Sequence, residues 1–538
     1  MTDFEYWCSL DEETRAELEA ITDKKELEDR FWKKLEFGTG GMRGIMGAGP
    51  NRMNIYTVAK ATKGLADYLK ASKKNPSAAI AFDSRNNSGK FAEISAQVLA
   101  AEGIRVYLFD KLMPTPVLSY AVRYLKCDGG IVITASHNPK EYNGYKVYDA
   151  DGCQLTPADA DKLIGYVNAV ESFDEIKTIS LSEAEKKGLF SYIDESLLDS
   201  FINECKAISL YEEKSDLKIV YTPLHGTGNI PVRRILADYD VTVVSEQENP
   251  DGDFSTVRSP NPEEKDALTL AIKKAGEIGA DIVIGTDPDC DRVGIAVKCG
   301  EGYRLMTGNQ TGALLMDFIL RFRALPENPA VVKTIVTSEI GAAIARKRGC
   351  EVIQTLTGFK YIGDKICKWE KNGGHSYVFG YEESYGYLAG THARDKDAVS
   401  SSMLIAEMAA YHKSQGRTLV DALNGIYAEY GYYYDCLETV VLKGKEGAEK
   451  IRSAMDTFRN KGTSLFADLG ELSDYSLGIG DLPEENVLRF NFTDGSWAAV
   501  RPSGTEPKLK MYYSVKGDSE EKAIARQKKI SEVFYTYI

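Results

Sequence analysis

IVIGTDPDCDR, residues 282–292, runs from an apolar stretch straight into carboxylates at every second position, Asp287, Asp289 and Asp291. The apolar part is short and continuous and ends in a polar turn. That pattern predicts a strand covered on both faces, as in α/β sheets. Three carboxylates so close repel one another and raise each other's pKa unless a metal ion, a helix end or water offsets them. In open α/β sheets ligands sit beyond the carboxyl ends of strands, which is where this loop falls.

The same alternation extends outward from there. Strand candidates recur at 78–83, 105–110, 130–136, 218–223, 241–246, 331–336, 351–356 and 377–383. Segments with helical spacing lie between them. Residues 88–103 place Phe91, Ile94, Val98 and Ala101 on one face with Gly103 at the end. Residues 261–279 predict a helix capped by Asn261 with Pro262 at its first position. The last hundred residues differ: 487–502 reads as two strands joined by an Asp494-Gly495 turn, followed by a strand near 508–515 and a charged helix. Strands with helices segregated from them predict an α+β unit. The expected architecture is three similar mixed α/β domains around a central cleft plus a C-terminal α+β domain. The boundaries are 1–205 (with an N-terminal helical extension), 206–310, 311–434 and 435–538.

A chain of 538 residues with a net charge of −14 is too long for one core and too acidic for a general nucleic-acid or anionic-membrane surface. The nine cysteines stand singly with no CxxC pair, which reads as reduced thiols rather than a disulfide framework. The opening residues lack a basic start followed by an apolar core, and no apolar run approaches bilayer length. A cytoplasmic location is expected, with small anionic molecules rather than nucleic acid or membrane as partners.

The aspartate loop admits several readings. An EF-hand would need Gly at position six and Glu at twelve, where Arg292 and Lys298 stand. An aspartyl nucleophile of the strand-DxD kind, a Mg²⁺ site completed by a phosphate oxygen, and an exposed acidic turn remain. In TASHNP, residues 134–139, Ser136 ends an apolar strand, where a hydroxyl can face a cleft; no GxSxG elbow or GxxxxGK[ST] loop occurs.

TASHNP (134–139), GTDPDCDR (285–292), GYEESYG (380–386) and RPSGTEPKLK (501–510), in that order, resemble the four signature loops of the α-D-phosphohexomutase superfamily; FGTGGMRG (37–44) and NGYK (143–146) match further pieces. The resemblance spans essentially the whole chain. It implies a phosphoserine at Ser136 and Mg²⁺ held by Asp287, Asp289, Asp291 and a Ser136 phosphate oxygen. It further implies sugar recognition by Glu382 and Ser384. The grip on the non-transferred phosphate falls to Arg501, Ser503, Gly504, Thr505 and Lys508. Arg43, Lys146 and Arg292 would stand beside the transferred group, with His137 orienting the nucleophile, Lys360 as general acid/base, and Arg394 and Lys396 completing the basic lining. Arg85 also matches a family arginine. The implied reaction interconverts α-D-glucose 1-phosphate and glucose 6-phosphate, primed by glucose 1,6-bisphosphate, in a monomer or homodimer. Close alternatives are pentose phosphates, bisphosphate synthesis, or a Mg²⁺-dependent phosphatase. The branch acting on mannose phosphates carries histidines where this chain has Phe359-Lys360 and Tyr385-Gly386.

Overall fold

The computed structural model describes residues 3–38, 41–213, 215–442, 444–503 and 508–538. Four sheets follow one another along the chain. In the first, the strands Gly129–Ile133, Ser77–Phe82, Arg105–Leu108 and Phe190–Tyr192 run parallel, and Tyr142–Asp149 returns antiparallel beside Gly129–Ile133. In the second, Ile282–Thr286, Lys218–Thr222 and Asp240–Val243 are parallel, and Val293–Cys299 returns antiparallel. In the third, Ser376–Glu382, Pro329–Thr334 and Glu351–Thr355 are parallel, and Gly386–Leu388 returns antiparallel.

Each functional loop is therefore the hairpin between a strand of the parallel set and its antiparallel return. Loops this short cannot make the crossover that a further parallel strand needs, so the chain has to turn back. The same sequence feature, an apolar strand opening into a polar loop, produces the same local geometry three times.

One apolar cluster continues through these three units, from Val117 and Phe201 through Ile284 and Cys290 to Tyr381 and Met403. The helix Ala398–Ser414 lies within it, buried on nearly all sides, as expected of a helix without a polar face. The C-terminal unit is an antiparallel sheet of Tyr432–Val441, Lys508–Gly517, Trp497–Pro502, Leu488–Phe492 and Leu469–Asp474 with its own core. It meets the third unit through Ile335, Val336, Leu356, Trp497 and Tyr512. The Asp494-Gly495 turn is present, with Gly495 at φ 85°. Among the described residues no helix is long and apolar enough to cross a membrane.

One expected helix starts late. Its first regular residue is Thr269, not Pro262. Asn261 does accept from the Glu263 amide at 3.1 Å, but Glu263 is drawn off to Arg292 at 2.6 Å and Pro262 lies against Gly294. The capping signal makes a turn laid over the aspartate loop.

Candidate active site

Ser136 closes the strand end with φ 53°, a left-handed conformation that a residue with a Cβ rarely takes. Its amide donates to Thr134 Oγ1 at 2.7 Å, and Arg85 clamps the loop from beneath by donating to the carbonyls of Ser136, Asn138, Pro139 and Tyr142. Arg85 is thus a structural brace for the serine loop. The strained turn aims the hydroxyl at the second unit: Ser136 Oγ donates to Asp287 Oδ2 at 2.6 Å and lies 3.2 Å from His137 Nδ1. Burial, with Arg292 and Arg43 nearby, holds His137 well below the usual histidine range, so its ring is neutral at pH 7. Arg43 reaches the same loop through Asn138 at 3.1 Å.

The aspartate loop turns on Cys290, also left-handed at φ 53°. Asp287 Oδ1 accepts from the amides of Asp291 and Arg292, which ties the loop onto its first carboxylate. Lys146, from the return strand of the serine hairpin, donates to Asp289 Oδ2 at 2.8 Å and reaches Asp291 Oδ2 at 3.4 Å. Lys396 lies 3.2 Å from Asp291. At Asp289 burial opposes ionisation, but Lys146, a hydrogen bond with Asp287 and Lys396 together outweigh it and hold that carboxyl far below its ordinary value. At Asp287, burial and the two neighbouring carboxylates prevail and push it well up. The triplet is therefore short of positive charge. Among the described residues Asp289 Oδ1 and Asp291 Oδ1 are buried without a hydrogen-bond partner, and ligand oxygens of the three residues lie within 4.8 Å of one another. An all-oxygen cradle with unused lone pairs fits a hard divalent cation.

Thr115, from the first unit, supports this cradle. It donates its hydroxyl to Asp289 Oδ2 at 3.0 Å and its amide to the Asp289 carbonyl at 2.9 Å. Groups that orient a ligating carboxylate typically change metal affinity ten- to a hundredfold. Thr115→Val is expected to weaken Mg²⁺ binding by about tenfold in calorimetric titration, and Thr115→Ser to restore it.

On the third unit, strand alternation sends Glu382 and Glu383 opposite ways. Glu383 accepts from Thr334 and Thr337, while Glu382 accepts from the Gly358 amide at 2.9 Å. Burial pushes Glu382 up to about 7, with Lys396 and Arg292 pulling it back and Glu383 adding to the rise. Ser384 follows in the hairpin turn and is half-buried. Gly386 is required here, because a Cβ would lie 2.0 Å from the Lys396 side chain. The missing side chain is the space through which Lys396 reaches Asp291.

One expectation is corrected. Arg394 does not line this cradle: its guanidinium donates to Glu370 and to the carbonyls of Thr391 and Ala393, because the loop at 394–396 alternates and only Lys396 faces the aspartates. Lys360, expected as the general acid/base, stands away from the triplet. Its charged neighbours are Glu485 and Arg501, at the seam with the C-terminal unit, and burial lowers its pKa. Arg501 pairs with Glu485 at 2.7 Å, and the Ser503 amide donates to the Lys508 carbonyl at 2.8 Å across the base of the loop. Gly504 and Thr505 lie outside the described residues. Arg292 is held by Glu263 at 2.6 Å beside Asp291. Sequence reasoning missed Thr115 and Glu263 altogether. It placed Lys396 only in a general basic lining, although Gly386 opposite was a signal.

Family models for phosphoglucomutase/phosphomannomutase match consecutively: α/β/α domain I at 34–173, domain II at 198–300, domain III at 307–430 and the C-terminal domain at 441–529. The chain belongs to this family. Curated relatives agree: phosphoglucomutase of Staphylococcus haemolyticus is 40% identical over 95% of this chain and 94% of its own. That of Staphylococcus aureus strain MRSA252 is 39% identical over 91% of each. Among solved structures, the open form of the Paramecium phosphoglucomutase parafusin superposes with a TM-score of 0.70 at 19% identity, covering 93% of this chain and 94% of that one. A Burkholderia thailandensis phosphoglucomutase/phosphomannomutase family protein gives 0.72 at 18% identity, covering 94% and 98%. At such identity these two structures speak for the shared fold.

Proposed function

We propose that the chain is a phosphoglucomutase, interconverting α-D-glucose 1-phosphate and glucose 6-phosphate by passing a phosphoryl group between Ser136 Oγ and the sugar. The observation that carries this reading is the 2.6 Å approach of Ser136 Oγ to Asp287, beside a cradle whose Asp289 and Asp291 each keep an unused oxygen. Mg²⁺ held by Asp287, Asp289, Asp291 and a Ser136 oxygen would neutralise charge on the phosphoryl group. The remaining work falls to side chains. Lys146, Lys396 and Arg43 face the phosphoryl oxygens, and Arg292, buried against Glu263, stays cationic beside them. Neutral His137, with Nδ1 3.2 Å from Ser136 Oγ, orients the seryl oxygen, whose own proton goes to Asp287. Glu382 and Ser384 accept from sugar hydroxyls, and the 501–508 loop, with Arg501, Ser503, Gly504, Thr505 and Lys508, grips the other phosphate.

Ser136 is charged by glucose 1,6-bisphosphate, which is also the bound intermediate that turns over in the cleft. Lys360, at the phosphate-gripping seam, serves the substrate rather than the metal cradle. Domain boundaries near 205, 310 and 435, a monomeric or dimeric assembly and a cytoplasmic location complete the proposal.

Two measurements test it. Incubation with glucose 1-phosphate and a trace of the bisphosphate should yield glucose 6-phosphate, with peptide mapping placing one phosphoryl group on Ser136. Release of inorganic phosphate without isomerised sugar would contradict the reading. The second concerns pH. Glu382 accepts hydroxyls most strongly when ionised, and its folded-state value lies near 7, above the ordinary 4.5. Its protonated form is thus favoured by the fold, and this contribution to stability is lost as pH rises through about 7. Substrate binding runs the other way: KM for glucose 1-phosphate should rise as pH falls from 7 toward 4.5, and Glu382→Gln should flatten that dependence.

A further inference from the structure

Outside the aspartate cradle, Cys205, His392 and Asp397 form a second cluster of metal-ligating side chains, all three buried. Cys205 lies in the last turn of the helix Ser196–Lys206. His392 and Asp397 flank the turn that carries Lys396 in the third unit. Cys205 Sγ is 3.7 Å from His392 Nε2 and 3.6 Å from Asp397 Oδ2, while Nε2 and Oδ2 are 2.8 Å apart.

A catalytic relay would use the two imidazole nitrogens for different partners. Here thiol and carboxylate converge on the same nitrogen, and Nδ1 is buried with no hydrogen-bond partner among the described residues. Convergence of three donor atoms on one focus is instead what a single ion needs. With zinc bonds of about 2.3 Å to sulfur and about 2.0–2.2 Å to nitrogen and oxygen, a tetrahedron has sulfur–nitrogen and sulfur–oxygen edges of about 3.5–3.6 Å. Both sulfur edges are already at that length. The nitrogen–oxygen edge must widen by about half an ångström as the hydrogen bond gives way to two metal bonds.

We propose that Cys205, His392 and Asp397 form a binding site for a thiophilic divalent cation of the zinc type, fastening the helix Ser196–Lys206 to the loop that presents Lys396. Thiolate and carboxylate together neutralise the dication; the thiol proton leaves to solvent as the metal–sulfur bond forms, and the imidazole proton passes from Nε2 to Nδ1, freeing the Nε2 lone pair for the ion. The mixed sulfur, nitrogen and oxygen set discriminates against Mg²⁺, so the site is chemically separate from the aspartate cradle. Three protein donors leave one corner of the tetrahedron for a water molecule. Asp397 is pre-oriented by accepting from the Val399 amide at 2.8 Å with its other oxygen. Before metal enters, burial and then Asp397 push the Cys205 thiol well up, so it stays protonated.

Co²⁺ serves as the probe. The full chain, stripped with chelator and held in excess Mg²⁺, should take up one equivalent of Co²⁺ with thiolate-to-cobalt charge-transfer absorption that zinc abolishes. Cys205→Ser and His392→Gln should lose the band and weaken zinc binding by more than about tenfold. Asp289→Asn, which alters the other site, should keep the band. Absence of sulfur-to-cobalt absorption in the unaltered chain overturns the proposal whether or not the variants fold. So does a band of equal strength in Cys205→Ser, which would place the metal on another cysteine.

Discussion

Ser136→Ala is expected to lower glucose 1-phosphate turnover by at least about 10⁴-fold, in kcat rather than KM, since removing a covalent nucleophile typically costs at least that much. The hydroxyl is buried and bonded to Asp287. Leaving that buried carboxyl oxygen without its donor costs about 1–3 kcal/mol, so the variant should fold with a modestly lowered melting temperature. The turn depends on the Thr134 hydroxyl and the Arg85 brace, neither of which the substitution touches. Calorimetry with glucose 6-phosphate should therefore still report binding, while incubation with glucose 1,6-bisphosphate should leave no phosphoryl group on the protein. The outcome also separates two chemistries that the aspartate loop left open in the sequence. An enzyme using Asp287 or Asp289 as the nucleophile would hydrolyse sugar phosphates unimpaired without the serine. Survival of turnover would sink the phosphoserine reading.

Much of this site is legible from local pattern because each loop announces itself by the same contrast: a run such as IVIGT that must be covered on both faces, then residues such as Asp287 and Ser136 that cannot be. What local pattern does not carry is which side chain crosses to which loop. Thr115 sits in a Thr-Pro pair that reads as a helix start, which it is. Its hold on Asp289 exists only because two separate sheets meet. Arg394 and Lys396 look equivalent along the chain, and the choice between them rests on the space left by Gly386. The Asn261-Pro262 signal was sound local chemistry overridden by the Glu263–Arg292 pair. In each case a long-range charge or packing contact decided between options that were locally equal.

Lys146→Met is expected to cost about 10²- to 10³-fold in kcat and to destabilise the metal-free protein by about 3–5 kcal/mol. The strand Tyr142–Asp149 puts Lys146 opposite Val132, one turn of the hairpin from Ser136, so its ammonium enters the cradle from the serine side. There it is the cation closest to Asp289 and shares Asp291 with Lys396. Methionine keeps the stem's volume and removes the charge. Among the described residues Asp289 then keeps the Thr115 hydroxyl and its Asp287 neighbour, with Lys396 nearby, and becomes a buried carboxylate short of compensating charge. The sign follows from the depression of Asp289 below 3.8: the stabilisation is present above that value and is lost as pH falls through the folded one. The deficit should accordingly be complete at neutral pH. A dication in the cradle offers the charge that the variant lacks, so melting curves of variant and parent should lie far apart in chelator and draw together in saturating Mg²⁺. Turnover should not recover with them, because the metal replaces Lys146 in holding the carboxylates but not in facing the phosphoryl oxygens. Coincident melting curves in chelator would show that Lys146 does not balance the aspartates, and recovery of turnover by Mg²⁺ alone would remove it from the chemistry.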